Sequence, residues 1–305
     1  MTGRILALVL AASPILVSSC TTIPVVNEKP VQVALAAPSR GPLVTAARRV
    51  AAGRADGESS FLLLEDSREA LLWRLALVDS ARSSLDIQLY LWHGESSGAL
   101  LLDRLMKAAD RGVRVRILVD DFLLVGSDKG IATLCRYHPN FEIRIFNPGR
   151  FRGGMLSGAS EFLLNFRQLN RRMHNKTWTA DRSMSIVGGR NVGDHYFGLD
   201  QKYNFIDLDV LAAGPVVPAI SDGFDAFWNS ADAYPGAMLS RRAKASEVEK
   251  IRRETTAVVE THRRSTLRSY PVDPKDWSRE LAGLENAMVR GRAQFLQDHP
   301  DPDQD

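Results

Sequence analysis

The chain has 305 residues, of which 45% are apolar, 25% charged and 8% aromatic, a globular composition that excludes a disordered, collagen-like or disulfide-framework protein. With 39 basic against 36 acidic residues the net charge is +3, too mild to argue for nucleic acid as a partner. The two cysteines, Cys20 and Cys135, form no Cys-x-x-Cys pair, which removes zinc-ribbon and thioredoxin-like motifs.

Arg4 opens the chain with a positive charge, and residues 5–17 are an apolar run broken only by Ser13 and Pro14. A helix needs roughly 20 residues to span a bilayer, so this run reads as the h-region of a signal peptide. It ends Val17-Ser18-Ser19-Cys20, which resembles the bacterial lipoprotein cleavage box. The resemblance implies a signal peptide over residues 1–19 and lipidation of Cys20. Thr21 stands where Asp would signal inner-membrane retention, which favours the outer membrane. The expectation is a lipid-anchored, periplasm-facing protein of the bacterial cell envelope, with Cys135 a buried, unpaired thiol. Pro24, Pro30, Pro38 and Pro42, followed by Gly53 and Gly57, make residues 20–57 a lipidated N-terminus and linker.

From there strand and helix patterns alternate. Leu85, Ile87, Leu89 and Leu91 mark a period-2 strand, residues 100–109 an amphipathic helix, and residues 113–119 a second strand. Residues 131–137 read as a helix, and 141–146 as a third strand closed by Asn147-Pro148-Gly149. Such alternation implies a largely parallel sheet with helical layers. Residues 176–180 and 184–187 flank a tight Asp181-Arg182-Ser183 turn and read as a hairpin. Residues 205–212 are a further strand and 215–228 a helix. The charged stretch 238–270 reads as a solvated helix or connector.

One string dominates the chain: His174-x-Lys176, four residues, Asp181, six residues, then Gly188-Gly189-x-Asn191. From this composition it arises by chance on the order of once in a million chains. The residue types suit a phosphodiester. An imidazole can attack phosphorus and split one displacement into two. Lys176 places positive charge at the non-bridging oxygens, and two residues apart on a strand the two side chains share a face. Asn191 offers amide donors to the same oxygens, and the paired glycines let backbone approach the phosphate. Asp181 falls at the turn, in a structural or pairing role.

The string resembles the signature of the phospholipase D superfamily, matched at every fixed position. Residues 83–92, 109–121 and 169–194 resemble its bacterial cardiolipin-synthase branch, and the resemblance covers roughly residues 60–300. It implies an α/β fold with a mixed sheet flanked by helices: a catalytic half over residues 58–235, with the signature in 169–196, and a helical connector over 236–305. It further implies phosphatidyl transfer or phosphodiester hydrolysis through a phospho-histidine at His174, with Lys176, Asn191, Asp181 and Asp207 as catalytic residues. Asp207 is preferred over Asp209, two positions on and on the same face, as the carboxylate that orients His174. Arg171, Arg172, Gly188, Gly189 and Arg190 are the expected phosphate and lipid contacts. The implied partners are the membrane phospholipids phosphatidylglycerol, phosphatidylethanolamine and cardiolipin. No metal or cofactor is implied.

Enzymes of this superfamily use two such motifs, and this chain has one. The implication is a homodimer, or a complementing second half of which residues 290–300 resemble the start before a truncation. Basic residues outnumber acidic six to one over 147–180, where Arg150, Arg152, Arg167, Arg171, Arg172 and Lys176 face Glu161 among apolar neighbours. That mixture suits lipid headgroups and acyl chains. A homodimeric phosphodiesterase or nuclease, and a catalytically incomplete lipid-binding half, are the alternatives. A further one is a serine esterase built on Gly94-Glu95-Ser96-Ser97-Gly98, a G-x-S-x-G string that arises by chance in roughly one such chain in ten. The remaining histidines, His93, His138, His195, His262 and His299, read as structural.

Overall fold

The computed structural model describes residues 26, 28–53, 55–121, 128–149, 171–240 and 244–301. Cys20 and the basic, apolar window at 150–170 lie outside the described residues. Among the described residues a nine-stranded sheet runs in the order β8-β4-β3-β2-β5-β6-β7-β1-β9. The strands are β1 (Ser59–Leu64), β2 (Ser84–Leu89), β3 (Arg114–Asp120), β4 (Phe141–Phe146), β5 (Thr177–Ala180), β6 (Met184–Gly188), β7 (Asp209–Ala213), β8 (Ala233–Pro235) and β9 (Val289–Gly291).

Only β2, β3 and β4 pair in parallel, joined by the crossovers α3 (Ser96–Asp110) and α4 (Asp128–Leu134). The expected largely parallel sheet is therefore a mixed one. The difference begins at β5, which runs antiparallel to β2 and hairpins into β6, and β7 and β1 continue that sense. Asp181 and Arg182, both with φ near +50°, are the central residues of a tight turn closed by the Ser183 N–H donating to the Ala180 carbonyl at 3.0 Å, within a three-residue loop between the paired Ala180 and Met184.

Side chains alternate across the strands. Leu85, Ile87, Leu89, Val115, Ile117, Ile143, Ile145, Trp178 and Ile186 face one way and make the main core with α2 (Ser67–Ser80) and α3. The opposite face is covered by α5 (Val216–Asn229), where Phe224, Phe227 and Trp228 meet Leu118, Phe146 and Met173. This second layer buries charge as well. Arg116 binds Asp86 at 2.7 Å and Asp225 at 2.8 Å, with its guanidinium 4.8 Å from the Phe224 ring centre. A buried arginine is tolerated when its donors are matched in this way.

The reading of residues 20–57 as a linker is overturned over much of its described length. Residues 42–51 form α1 (Pro42–Ala51), with Pro42 in the first turn, where a missing N–H costs nothing. Leu43, Ala46 and Val50 enter the main core. Before α1, the backbone N–H groups of Gln32 and Ala34 donate to Asn229 and Asp225 of α5, and Lys29 reaches the carbonyls of Ser230 and Ala233. The prolines were consistent with a tether, but the apolar i, i+3, i+7 spacing at 43, 46 and 50 decides.

After β8 the chain forms α6 (Val248–His262), which buries only Thr255 and Val259, and α7 (Ser278–Ala287). Residues 289–291, in the stretch expected to open a second half, pair as β9 with β1. Cys135 is half-buried beside the core, and burial pushes its thiol up to about 12. Among the described residues no helix is long and apolar enough to cross a membrane.

Candidate active site

His174 and Lys176 lie just ahead of β5. The Gly188 N–H donates to the Lys176 carbonyl at 3.3 Å, so the β5–β6 ladder reaches the motif. Two anchors fix the approach. Asp120, at the end of β3, accepts the Met173 N–H at 3.0 Å and the Arg172 guanidinium at 3.1 Å. Asn147, after β4, donates its amide to the Arg171 carbonyl at 2.8 Å. The outcome is an exposed His174 ring beside a buried Lys176.

Three groups surround that ring. Tyr90, at the end of β2, stands 5.0 Å from it between centroids and also lies 5.4 Å from Lys176 Nζ. Lys176 Nζ donates to the His174 carbonyl at 2.7 Å. Asp207 acts on both residues through its charge. The His174 pKa is lowered by desolvation and by the Lys176 charge, and Asp207 opposes the shift. Desolvation lowers Lys176 to about 8, again against Asp207. The imidazole is therefore neutral near pH 7 while the ammonium is largely charged, which is the pairing a nucleophile and an anion-binding cation require.

The other expected site residues separate into those near this cluster and those away from it. Asp181 sits at the far end of β5, roughly 16 Å along the chain from Lys176 at about 3.3 Å per residue. It is fully buried, and its carboxylate accepts the backbone N–H groups of Arg82, Ser83 and Ser84. Its role is to tie the hairpin to the start of β2. Asn191 accepts the Leu91 N–H at 2.9 Å and donates to the Tyr196 hydroxyl at 3.0 Å, so its amide holds the loops after β2 and β6 together.

Arg190, expected to contact substrate, is fully buried. It donates to the carbonyls of Leu64 and Glu65 and pairs with Asp209 at 3.3 Å, and Asp209 also binds Arg74 at 2.9 Å. Those contacts hold both terminal nitrogens of a guanidinium with no exposed surface, so Arg190 is a core residue. Arg172 is committed to Asp120. Arg171 is exposed and lines a hollow with Asn229, Asp232 and His299. The paired glycines admit carboxylates. A Cβ on Gly188 would collide with Asp209 and the Leu208 carbonyl, and one on Gly189 would collide with the Asp207 carboxylate. The expected close approach is real, but its partner is strand β7.

The serine-esterase alternative fails on geometry. Ser96 is 1% exposed and donates to the Asp194 carboxylate at 2.7 Å, while the Ser97 N–H donates to the other oxygen of Asp194. Asp194 thereby caps α3, and Ser96 is a helix start whose hydroxyl is committed to that carboxylate rather than to an imidazole. Sequence reasoning missed Tyr90 as a site residue. Its signal was the period-2 pattern, which puts Tyr90 on the face opposite Leu89 and Leu91.

Residues 75–228 match the family model described as cardiolipin synthase, PLD-like domain. Cardiolipin synthase C of Escherichia coli is 45% identical over 172 residues, which are 56% of this chain and 36% of that protein. An uncharacterized protein of Helicobacter pylori is 34% identical over 246 residues, 79% of this chain and 48% of its own length. The crystal structure of Nuc from Salmonella typhimurium, a phospholipase D family member, aligns with a TM-score of 0.41 at 16% identity, covering 58% of this chain and 97% of that one. The chain spans between about a third and a half of the length of these curated relatives. With half of its residues inside the family model, the chain belongs to the cardiolipin synthase, PLD-like domain family.

Proposed function

We propose that this chain carries one half of a phosphatidyl-transfer site in which His174 is the nucleophile. The carrying observation is the exposed His174 ring, held neutral beside the Lys176 ammonium with Asp207 next to both. A ring nitrogen of His174 attacks the phosphorus of a glycerophospholipid. The bond from phosphorus to the headgroup oxygen breaks, and the headgroup leaves as an alcohol once protonated. The phosphatidyl group then passes from His174 to an acceptor hydroxyl. With phosphatidylglycerol as donor and acceptor the products are cardiolipin and glycerol, and with water the product is phosphatidic acid. Lys176 compensates charge on the non-bridging oxygens as it builds. The leaving alcohol needs a general acid. A second His-x-Lys motif, from another copy of the chain or from a complementing half, supplies it. Lipidation at Cys20 would hold the site at the bacterial envelope among its substrates.

The test is to give purified chain phosphatidylglycerol in mixed micelles, measure cardiolipin and free glycerol, and record assembly state in the same sample. Turnover that follows the dimer or requires an added second half, together with phosphate trapped on His174, supports the reading. Turnover by a strict monomer, or full activity in His174→Ala, sinks it. Salt-sensitive DNA cleavage without lipid turnover would assign the site to a nuclease instead.

A further inference from the structure

We infer that His93, Glu95 and His195 form a binding site for a divalent cation of the zinc class, independent of the phosphodiester chemistry proposed above. His93 follows β2, Glu95 precedes α3, and His195 lies in a short turn after β6, so residues far apart in the chain converge at one end of the sheet. One ligand atom from each lies within 4.8 Å of the others. Donors around a tetrahedral zinc ion with bonds of about 2.1 Å stand roughly 3.4 Å apart, so modest side-chain rotations close the set. Two imidazoles and one carboxylate favour zinc or a neighbouring transition ion over magnesium or calcium, which take oxygen ligands.

Both rings are held before any ion arrives. The backbone N–H of His93 donates to the Val192 carbonyl at 2.9 Å, and the Trp92–Val192 bridge fixes the same loop. Gly193 makes room for the His93 ring, since a Cβ there would lie 3.0 Å from its Cδ2. The His195 ring stacks on Tyr203 at 5.4 Å and 14° and meets Phe205 edge-on, while the Phe205 N–H donates to the His195 carbonyl at 2.8 Å. Glu95 accepts the Asp194 N–H on one carboxylate oxygen, which leaves the other oxygen for an ion. Ligands fixed in advance lose less freedom on binding.

A second observation points to a ligand. Nδ1 of His195 is shielded from solvent and makes no hydrogen bond, and the Asp200 carboxylate stands 3.8 Å away, beyond hydrogen-bond reach. An ion on Nδ1 satisfies that orphan directly. An ion on Nε2 leaves Nδ1–H to donate to Asp200, the carboxylate–histidine–metal arrangement that orients metal-binding rings. Bound there, the ion clamps the loop after β2 to residues 193–206, which lead directly to Asp207.

The experiment uses the full untagged chain, stripped with chelator and titrated with Co2+ and Zn2+ by calorimetry, visible absorption and thermal unfolding. The expected result is one equivalent bound, a d–d absorption band for Co2+ and a rise in Tm with Zn2+. In His195→Ala and Glu95→Gln the affinity falls at least tenfold while the metal-free Tm of Glu95→Gln stays at wild type. No binding by the wild-type chain overturns the site. Wild-type affinity retained in both Glu95→Gln and His195→Ala does so as well.

Discussion

Asp181→Asn separates the structural from the catalytic reading of the signature aspartate. Asn adopts positive φ as readily as Asp, so the turn at Asp181 and Arg182 keeps its backbone and only the carboxylate is lost. That carboxylate accepts from Arg82 N at 2.9 Å, Ser83 N at 2.7 Å and Ser84 N at 3.1 Å. A hydrogen bond to a charged acceptor exceeds a neutral one by about 1 kcal/mol, so three donors lose roughly 3 kcal/mol between them. Against a typical total of about 5–15 kcal/mol this is large, and it lowers Tm by roughly 6–12 °C. Urea unfolding followed by tryptophan fluorescence reads the loss, since Trp178 is buried in β5 three residues before Asp181. At a temperature where the variant remains folded, phosphodiester turnover should stay within about threefold of wild type. An unchanged urea midpoint together with a hundredfold loss of turnover would refute the argument, because it would place the carboxylate in the chemistry.

Two further outcomes test the site itself. Gly189→Ala drives a methyl group into the Asp207 carboxylate at an ordinary φ, so turnover should fall about a hundredfold while stability drops by only about 1 kcal/mol; Gly188→Ala instead strikes Asp209, locked between Arg74 and Arg190, and should cost about 3 kcal/mol in urea unfolding. The pH–rate profile should be a bell. Its rising limb lies below 6.5, where His174 gives up its proton and becomes nucleophilic, and its falling limb lies near 8, where Lys176 loses the charge that holds phosphate. In Lys176→Arg, whose guanidinium stays charged, the falling limb should move upward.

Local pattern carried much of the fold in advance. The period-2 strands at β2 and β4, the hairpin at Asp181 and the helix at 216–229 follow from alternation, turn chemistry and apolar spacing that neighbouring residues already contain. What pattern could not give was which distant strand each one joins. The switch to antiparallel pairing at β5 depends on β2 being its neighbour, a contact between residues such as Ile87 and Trp178. The same limit applies to charge. Arg172 and Arg190 look alike in the sequence as basic residues flanking the signature. Their fates depend on Asp120 and Asp209, at the ends of strands far along the chain. His174 with Lys176 was legible because the two are two residues apart; Tyr90 was not, because its closeness to them comes from β2 pairing with β5.

Asp207 and Asp209 show how one short segment is put to two uses. They are two residues apart on the approach to β7 and share a face, so composition and periodicity treat them alike. The glycine pair opposite decides between them. Gly188 lets Asp209 sink against the sheet, where Arg74 and Arg190 neutralise it at 2.9 and 3.3 Å and its oxygens are fully buried. Gly189, one position nearer the open end, lets Asp207 rest against backbone while staying half-exposed, without an arginine partner among the described residues, and within electrostatic reach of His174 and Lys176. A carboxylate saturated by two guanidiniums cannot tune a histidine, and one left to solvent alone is screened. Asp207 occupies the position between these limits, and the two glycines of the signature are what create the difference.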